Sequence, residues 1–400
     1  DGSVQAREYV AVQLQPGENL LALRQEDSFG NARGEVSVRV IAPGELGRIE
    51  IELPPTDVVA DGRTPVPVVV RLTDAGVLDS TFSGDGIQEF DFGGDRYLET
   101  GAMMPDNALE TLGEFDSIFL GCIGDADKVE DHISLAMLLT IRKGFDQYVN
   151  LRPIKLYPGV SSPISTASPE TVDILVIREN TEGEYSSNGG FFKRGTPDAF
   201  ALQTGIFTWK GCERAIRYAF EAARKRQKLG STAPVGRVTN CTKSNALNYS
   251  MVFWDEAYDF VAQDYPDIET DMALVDALTM WFVKNPDYFD VVVASNLFGD
   301  IITDLGAMLQ GGMGFAAGGN INPEGDYPSM FEPIHGSAPK YTGKSVVNPI
   351  ATIEAVRMML DNLGETEAAT NVEAAIAATL GAGETRTRDM GGSASTVDMG

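Results

Sequence analysis

From about Thr81 onward the chain alternates short runs of branched apolar residues with longer segments of helical periodicity, which restricts it to an α/β architecture with helices packed on a sheet. Ser117 to Leu120, Val172 to Ile177 and Val291 to Ala294 read as buried strands. Lys210 to Lys228, Asn248 to Gln263 and Asn348 to Leu363 read as helices.

The first 80 residues have a different texture, with no lysine, no cysteine and no long amphipathic pattern. Tyr9 to Leu14, Glu35 to Ile41, Arg48 to Leu53 and Val66 to Leu72 read as strands separated by Pro16-Gly17, Pro43-Gly44 and Asp61-Gly62 turns. "FGNARGEVSVRVIAPG" resembles the end of a bacterial immunoglobulin-like module and "DVVADGRTPVPVVVRLTDAG" the start of another. Four or five strands are too few to complete a sandwich. This resemblance implies a competing class, a non-catalytic surface or adhesion fusion protein.

Charge excludes other classes. With 31 Lys plus Arg against 58 Asp plus Glu, the net charge is −27, so nucleic acid and anionic membranes are poor partners. No run approaches the ~18 apolar residues of a membrane helix. Cys122, Cys212 and Cys241 lie far apart with no CxxC, which suggests neither a disulfide framework nor a cysteine zinc site and points to the reducing cytoplasm. The chain opens at Asp1 rather than Met, consistent with a fragment.

Two histidines, His132 and His335, leave little room for a histidine-rich metal cage or a Ser-His-Asp hydrolase. "GSAPKYTGKS" misses the P-loop spacing, and the glycines at 311, 312, 314, 318 and 319 miss the dinucleotide fingerprint. Carboxylates and arginines offer more. Asp300 and Asp304 stand four apart in "SNLFGDIITDLGA", on one helix face. Alone such a pair is a solvated face; with a cation between them it suits Mg²⁺ or Mn²⁺. Arg142, Arg152 and Arg178 sit in apolar contexts, and Arg178 follows the strand "VDILVI" directly, where a strand end would expose it in a cleft. Guanidiniums bind carboxylates bidentately, so three near a metal suggest a substrate with two carboxyl groups.

From about Gly84 to the C-terminus the chain resembles the metal-dependent β-decarboxylating dehydrogenases, the isopropylmalate and isocitrate dehydrogenase family, and most closely its tartrate and D-malate branch. The matching motifs run collinearly through "FDFGGDRYLETGAMMPDNALE", "DHISL", "IRKGFDQYVNLRPIKLYPGV", "VIRENTEGEYS", "TKSNALNYSMVFWDE", "VDALTMWFV", "SNLFGDIITDLGA", "MFEPIHGSAPKYTGKSVVNPIATI" and "TRDMGGSAST". The resemblance implies an isopropylmalate dehydrogenase-like fold of two α/β domains around a shared mixed sheet. The larger, cofactor-binding domain would span 84–147 plus 311–400, and the smaller substrate, metal and dimerisation domain 148–310, with a short all-β segment over 1–80 in front.

By position, the resemblance implies that Arg142, Arg152 and Arg178 clamp the substrate carboxylates, that Tyr185 is the general acid, and that Lys243 is the proton-relay base. It makes Asp276, Asp300 and Asp304 metal ligands, and His335, Gly336, Ser337, Ala338, Lys340, Tyr341 and Asn348 the seat of NAD or NADP. Lys243 and Asp276 would serve a neighbouring subunit, which implies a homodimer. The implied reaction is oxidative decarboxylation of a small 2-hydroxy diacid such as tartrate or D-malate, with 3-isopropylmalate as the alternative.

The pattern departs from the family in three places. "SGDGI" at Ser83 to Ile87 runs straight into "QEFDFGG", so the family's first strand and helix are absent. Activity is expected to suffer unless Val66 to Leu72 takes that strand's place. Lys340-Tyr341 resembles the NADP-specific isocitrate dehydrogenases, although Thr385 to Arg388 lacks the rest of that NADP set. The stretch after "DHISL" is one residue short, with Ala136 where tartrate and D-malate relatives carry Trp.

Overall fold

The computed structural model describes residues 87–226 and 236–400, together with the backbone of β1 (Gly17–Glu26), β2 (Ala32–Ala42), β3 (Arg48–Glu52) and β4 (Val69–Thr73). Contacts divide the chain into two units, Asp1–Asp91 and Phe92–Gly400.

In the first unit β1 pairs antiparallel with β2, and β3 with β4. β2, β3 and β4 overlap three of the expected strands. β1 was not anticipated, because Leu20 to Leu23 is a continuous apolar run without period-two alternation. Tyr9 to Leu14 and the immunoglobulin-like character of residues 1–80 lie outside the described residues. β4 has β3 as its partner in a two-stranded sheet, and the rest of the expected strand Val66 to Leu72 lies outside the described residues.

The second unit begins with α1 (Gly94–Thr100), α2 (Ala108–Leu112), β5 (Ser117–Phe119), α3 (Asp131–Gly144), β6 (Val149–Lys155) and β7 (Asp173–Glu179). A hairpin of β8 (Gly183–Phe192) and β9 (Phe200–Ile206) leads into α4 (Trp209–Lys225), β10 (Arg237–Thr242), α5 (Ser250–Ala262), β11 (Glu269–Leu274) and α6 (Val275–Lys284). The chain continues through β12 (Val291–Ala294), α7 (Asn296–Leu309), β13 (Ala317–Ile321), β14 (Ser329–Pro333), α8 (Ile350–Asn362), α9 (Thr366–Ala382) and α10 (Thr396–Met399). Among the described residues no helix is long and apolar enough to cross a membrane.

Eight strands form one mixed sheet in the order β11-β10-β12-β7-β6-β13-β14-β5. β11, β10, β12 and β7 are parallel neighbours, β6 and β13 run antiparallel to theirs, and β5 joins β14 in parallel. Alternation divides the side chains between two cores. Ile177, Val291 and Val293 face α4 and α5, where Ile216, Phe220, Trp254 and Tyr258 pack. Ile174, Val176 and Val292 face α6 and α7, where Leu278, Phe282, Ile302 and Leu309 pack.

α7 comes close to the sheet because its contact stripe is glycine. A Cβ on Gly299 would lie 2.6 Å from Arg178 Cβ, and one on Gly306, two turns on, 2.1 Å from Ile154 Cδ1. A methyl at Gly299 would press on the stem of Arg178 next to the β7 backbone, and one at Gly306 on the outer end of the Ile154 side chain.

Candidate active site

Arg142, Arg152 and Arg178 are 4%, 5% and 2% exposed. The expectation that a strand end exposes Arg178 is wrong: it is the penultimate residue of β7 and lies beneath α7. Its Nε and Nη2 both donate to Asn296 Oδ1, at 3.0 and 2.7 Å, and its Nη1 donates to Asp300 Oδ1. Asn296 is held in turn by its Nδ2, which donates to Glu182 O at 3.0 Å. Arg142, in the last turn of α3, donates from Nη2 to Glu332 Oε1 at 2.8 Å. Arg152 donates from Nε to Asn150 Oδ1 at 2.6 Å, and among the described residues it pairs with no carboxylate.

The three guanidiniums feel one another. Burial, followed by the charges of Arg178 and Arg142, pulls Arg152 down to about 9, with Glu332 opposing. Burial and Arg142 also lower Arg178, against the pull of Asp300. The carboxylates of Glu332 and Asp300 pull Arg152 the other way, and a planar guanidinium held in this way presents the fork that binds carboxylates.

Asp300 and Asp304 stand one turn apart on α7, as the spacing predicted. Burial raises Asp300, but the charge of Arg178 and the Tyr185 hydroxyl outweigh it and hold the carboxyl below its usual range. Burial, then the charge of Asp300, lifts Asp304 above its usual value. Tyr185 Oη donates to Asp300 Oδ2 at 2.8 Å. Burial and that carboxylate push the phenol up to about 12, so it is a neutral proton donor at ordinary pH. Lys143 Nζ holds the Tyr185 carbonyl at 3.0 Å.

The third expected acid stands elsewhere in the chain. Asp276, in the first turn of α6, accepts from Lys243 Nζ at 2.6 Å, and among the described residues no three His, Cys, Asp or Glu side chains gather around a metal position. Lys243 follows β10 and Asp276 follows β11, beside β12 and β7, whose ends carry Asn296 and Arg178. All four are at carboxyl ends of parallel strands, where α/β sheets bind ligands. Asp300 and Asp304 are oxygen donors of the kind a hard divalent cation takes, and both Asp300 oxygens already accept hydrogen bonds here, from Arg178 and Tyr185.

The expected cofactor residues leave the carboxyl end of β14. His335 Nδ1 lies 3.4 Å from Cys122 Sγ and 3.0 Å from Gly336 O, and Ser337 Oγ donates to Gly124 O. These contacts tie the loop to the segment after β5. Ala338 is left-handed, with φ 48°, and starts the turn Pro339–Tyr341. Asp125, Asp127, Lys128, Ala338, Pro339 and Lys340 line a pocket of about 390 Å³. Two aspartates offset its two ammonium groups, and Lys128 Nζ pairs with Asp125 Oδ2 at 3.2 Å. Asn348 is already engaged: its Oδ1 accepts Ile350 N at the start of α8, and its Nδ2 donates to Asp389 at 3.0 Å.

Sequence reasoning missed Asn296, Gly299, Glu332, Asn150 and Asn320. All but Asn320 lie within a motif that carries the resemblance, but none announces a role by residue type.

A mixed α/β sheet that gathers buried guanidiniums and two carboxylates one helix turn apart at the carboxyl ends of parallel strands has the layout of an α/β enzyme site. Residues 77–400 match the isocitrate/isopropylmalate dehydrogenase family, and the chain belongs to it, which makes it a β-decarboxylating dehydrogenase. It is 48% identical over 309 residues to D-malate dehydrogenase [decarboxylating] of Escherichia coli (strain K12), covering 76% of this chain and 83% of that protein. It is 45% identical over 312 residues to 3-isopropylmalate dehydrogenase of Thermobifida fusca (strain YX), covering 78% and 85%. With the probable tartrate dehydrogenase/decarboxylase of Bacillus subtilis (strain 168) the identity is 45% over 306 residues, covering 76% and 83%. The crystal structure of isocitrate dehydrogenase from Methylococcus capsulatus superposes with a TM-score of 0.68 at 34% identity, covering 77% of this chain and 86% of that one.

Proposed function

We propose that this chain catalyses the oxidative decarboxylation of a small 2-hydroxy diacid of the tartrate or D-malate type. The observation that carries this reading is the buried arginine trio, in which Arg142 and Arg178 have carboxylate partners and Arg152 has only an amide. The relatives named for D-malate and tartrate support it. 3-Isopropylmalate is the second reading, supported by the Thermobifida fusca relative.

Arg142, Arg152 and Arg178 orient the two carboxylates. Asp300 and Asp304 would hold a Mg²⁺ or Mn²⁺ ion, which would supply Lewis acidity, and His335, Gly336, Ser337, Ala338, Lys340, Tyr341 and Asn348 would seat NAD or NADP, which would supply the hydride acceptor. Lys243 takes the hydroxyl proton and Tyr185 returns a proton to the carbon that CO₂ leaves. Lys243 and Asp276 act in the site of a second copy, giving a homodimer. That assignment accords with their pairing away from Asp300 and Asp304. The two α/β domains are 84–147 plus 311–400 and 148–310. Lys340 favours NADP, the free cysteines accord with the cytoplasm, and the missing first strand and helix lower the turnover rate.

The test is a panel of D-malate, tartrate isomers and 3-isopropylmalate with Mn²⁺ and each cofactor, following nicotinamide reduction and CO₂ together. Equal release of reduced cofactor and CO₂ from one diacid is the expected result. Reduction without CO₂, or turnover with none of them, overturns the reading.

A further inference from the structure

Arg142 and Arg152 lie on different elements, α3 and β6, yet one unbroken line of buried hydrogen bonds joins them. Glu332 Oε1 accepts from Arg142 Nη2 and from Asn320 Nδ2, each at 2.8 Å. Asn320 Oδ1 accepts from Asn150 Nδ2 at 2.9 Å, and Asn150 Oδ1 accepts from Arg152 Nε at 2.6 Å. Asn150 and Asn320 are fully buried and Glu332 nearly so.

Strand register makes the line possible. Asn150 stands opposite Asn320 across β6 and β13, and Gly318 stands opposite Glu332 across β13 and β14. Residues two apart share a face, so Arg152, Asn150, Asn320, Gly318 and Glu332 all point to one side of the sheet. Gly318 provides room for Arg152: a Cβ there would lie 3.1 Å from its Nε.

The line also has a fixed direction. Guanidinium groups only donate, so Asn150 must turn its oxygen to Arg152 and its NH₂ to Asn320. Asn320 then turns its oxygen to Asn150 and its NH₂ to Glu332. Asn320 also accepts from Asn180 Nδ2 at 3.0 Å, but Asn180 touches neither arginine.

We propose that Glu332, Asn320 and Asn150 are positioning residues that set the separation of Arg142 and Arg152, and that this spacing selects diacids by the distance between their carboxylates. The inference rests on the reading of the arginines as a carboxylate clamp.

The test is calorimetric binding of D-malate and of D-2-hydroxyglutarate, one methylene longer, to the full chain with Mn²⁺. The unaltered protein is expected to separate the two by about tenfold or more, the usual worth of a methylene in a shaped site. Asn150→Ala and Glu332→Gln are expected to shrink that ratio below about threefold, while Asn180→Ala, which removes a bond of the same kind from the same Asn320 oxygen, keeps it. Glu332→Gln preserves shape, so the test survives if Asn150→Ala does not fold. Three results overturn the proposal: a ratio unchanged in both positioning variants, a ratio lost equally in Asn180→Ala, or equal affinity of the unaltered chain for the two diacids. Binding of neither diacid by the unaltered chain instead sinks the clamp itself, and the positioning role with it.

Discussion

Gly299→Ala tests most directly how the fold holds the clamp. The added methyl would stand 2.6 Å from both Cβ and Cγ of Arg178 and 3.1 Å from Cδ, where carbon contacts settle at ~3.5–4.0 Å. About 1 Å must be found by moving something. Arg178 Cβ is anchored to β7, which is paired on one side to β12 and on the other to β6, so either α7 lifts or the arginine is displaced. Alanine returns ~1 kcal/mol of helix propensity, while overpacking costs ~1–3 kcal/mol. The net loss of stability is therefore small, about 0–2 kcal/mol. The functional loss is larger, because Arg178 organises Asn296, Asp300 and, through Asp300, Tyr185. A displacement of that size costs ~100-fold in kcat/KM. The assay is nicotinamide reduction over a range of diacid concentrations beside a thermal melt, with Gly306→Ala as control. That methyl meets Ile154 on the same helix stripe and touches no arginine, so it should lower the melting temperature and leave kcat/KM within about threefold. If Gly299→Ala loses no more activity than Gly306→Ala, the reasoning is refuted.

Two further outcomes follow from charge. Burial and its neighbouring arginines pull Arg152 down, but a guanidinium keeps its proton through the ordinary pH range, so diacid affinity should stay level to pH about 10.5; a fall of about tenfold per unit above pH about 9 would show that Arg152 loses its charge there. Lys340→Asp should move the ratio of kcat/KM for NADP over NAD toward NAD by about tenfold or more, since it reverses a charge beside the proposed cofactor seat; an unchanged ratio removes Lys340 from the choice.

Much of the fold of the second unit was legible from local periodicity. The expected strand Val291 to Ala294 is β12 residue for residue, and the expected helices at Lys210, Asn248 and Asn348 correspond to α4, α5 and α8 within a few residues. In such stretches local spacing already determines which face is apolar, whatever the rest of the chain does. The residues of the proposed site were named through the resemblance of their motifs, since by themselves two aspartates four apart read as a solvated face and single arginines as salt-bridge partners, which Arg142 and Arg178 are.

Only the tertiary structure decided how those residues are held. Arg178 is buried because two glycines seven apart let α7 settle on the sheet, and no local pattern says which strand a helix will cover. Asp276 stands apart from Asp300 and Asp304 because β11 and α6 carry it to Lys243. The line from Arg142 to Arg152 exists because β6, β13 and β14, distant in sequence, pair in one register, and a slip of one residue would turn Asn150, Asn320 or Glu332 to the opposite core. Long-range register is a property of the packed sheet, set when two cores are filled at once, and it is there that separate motifs become one site.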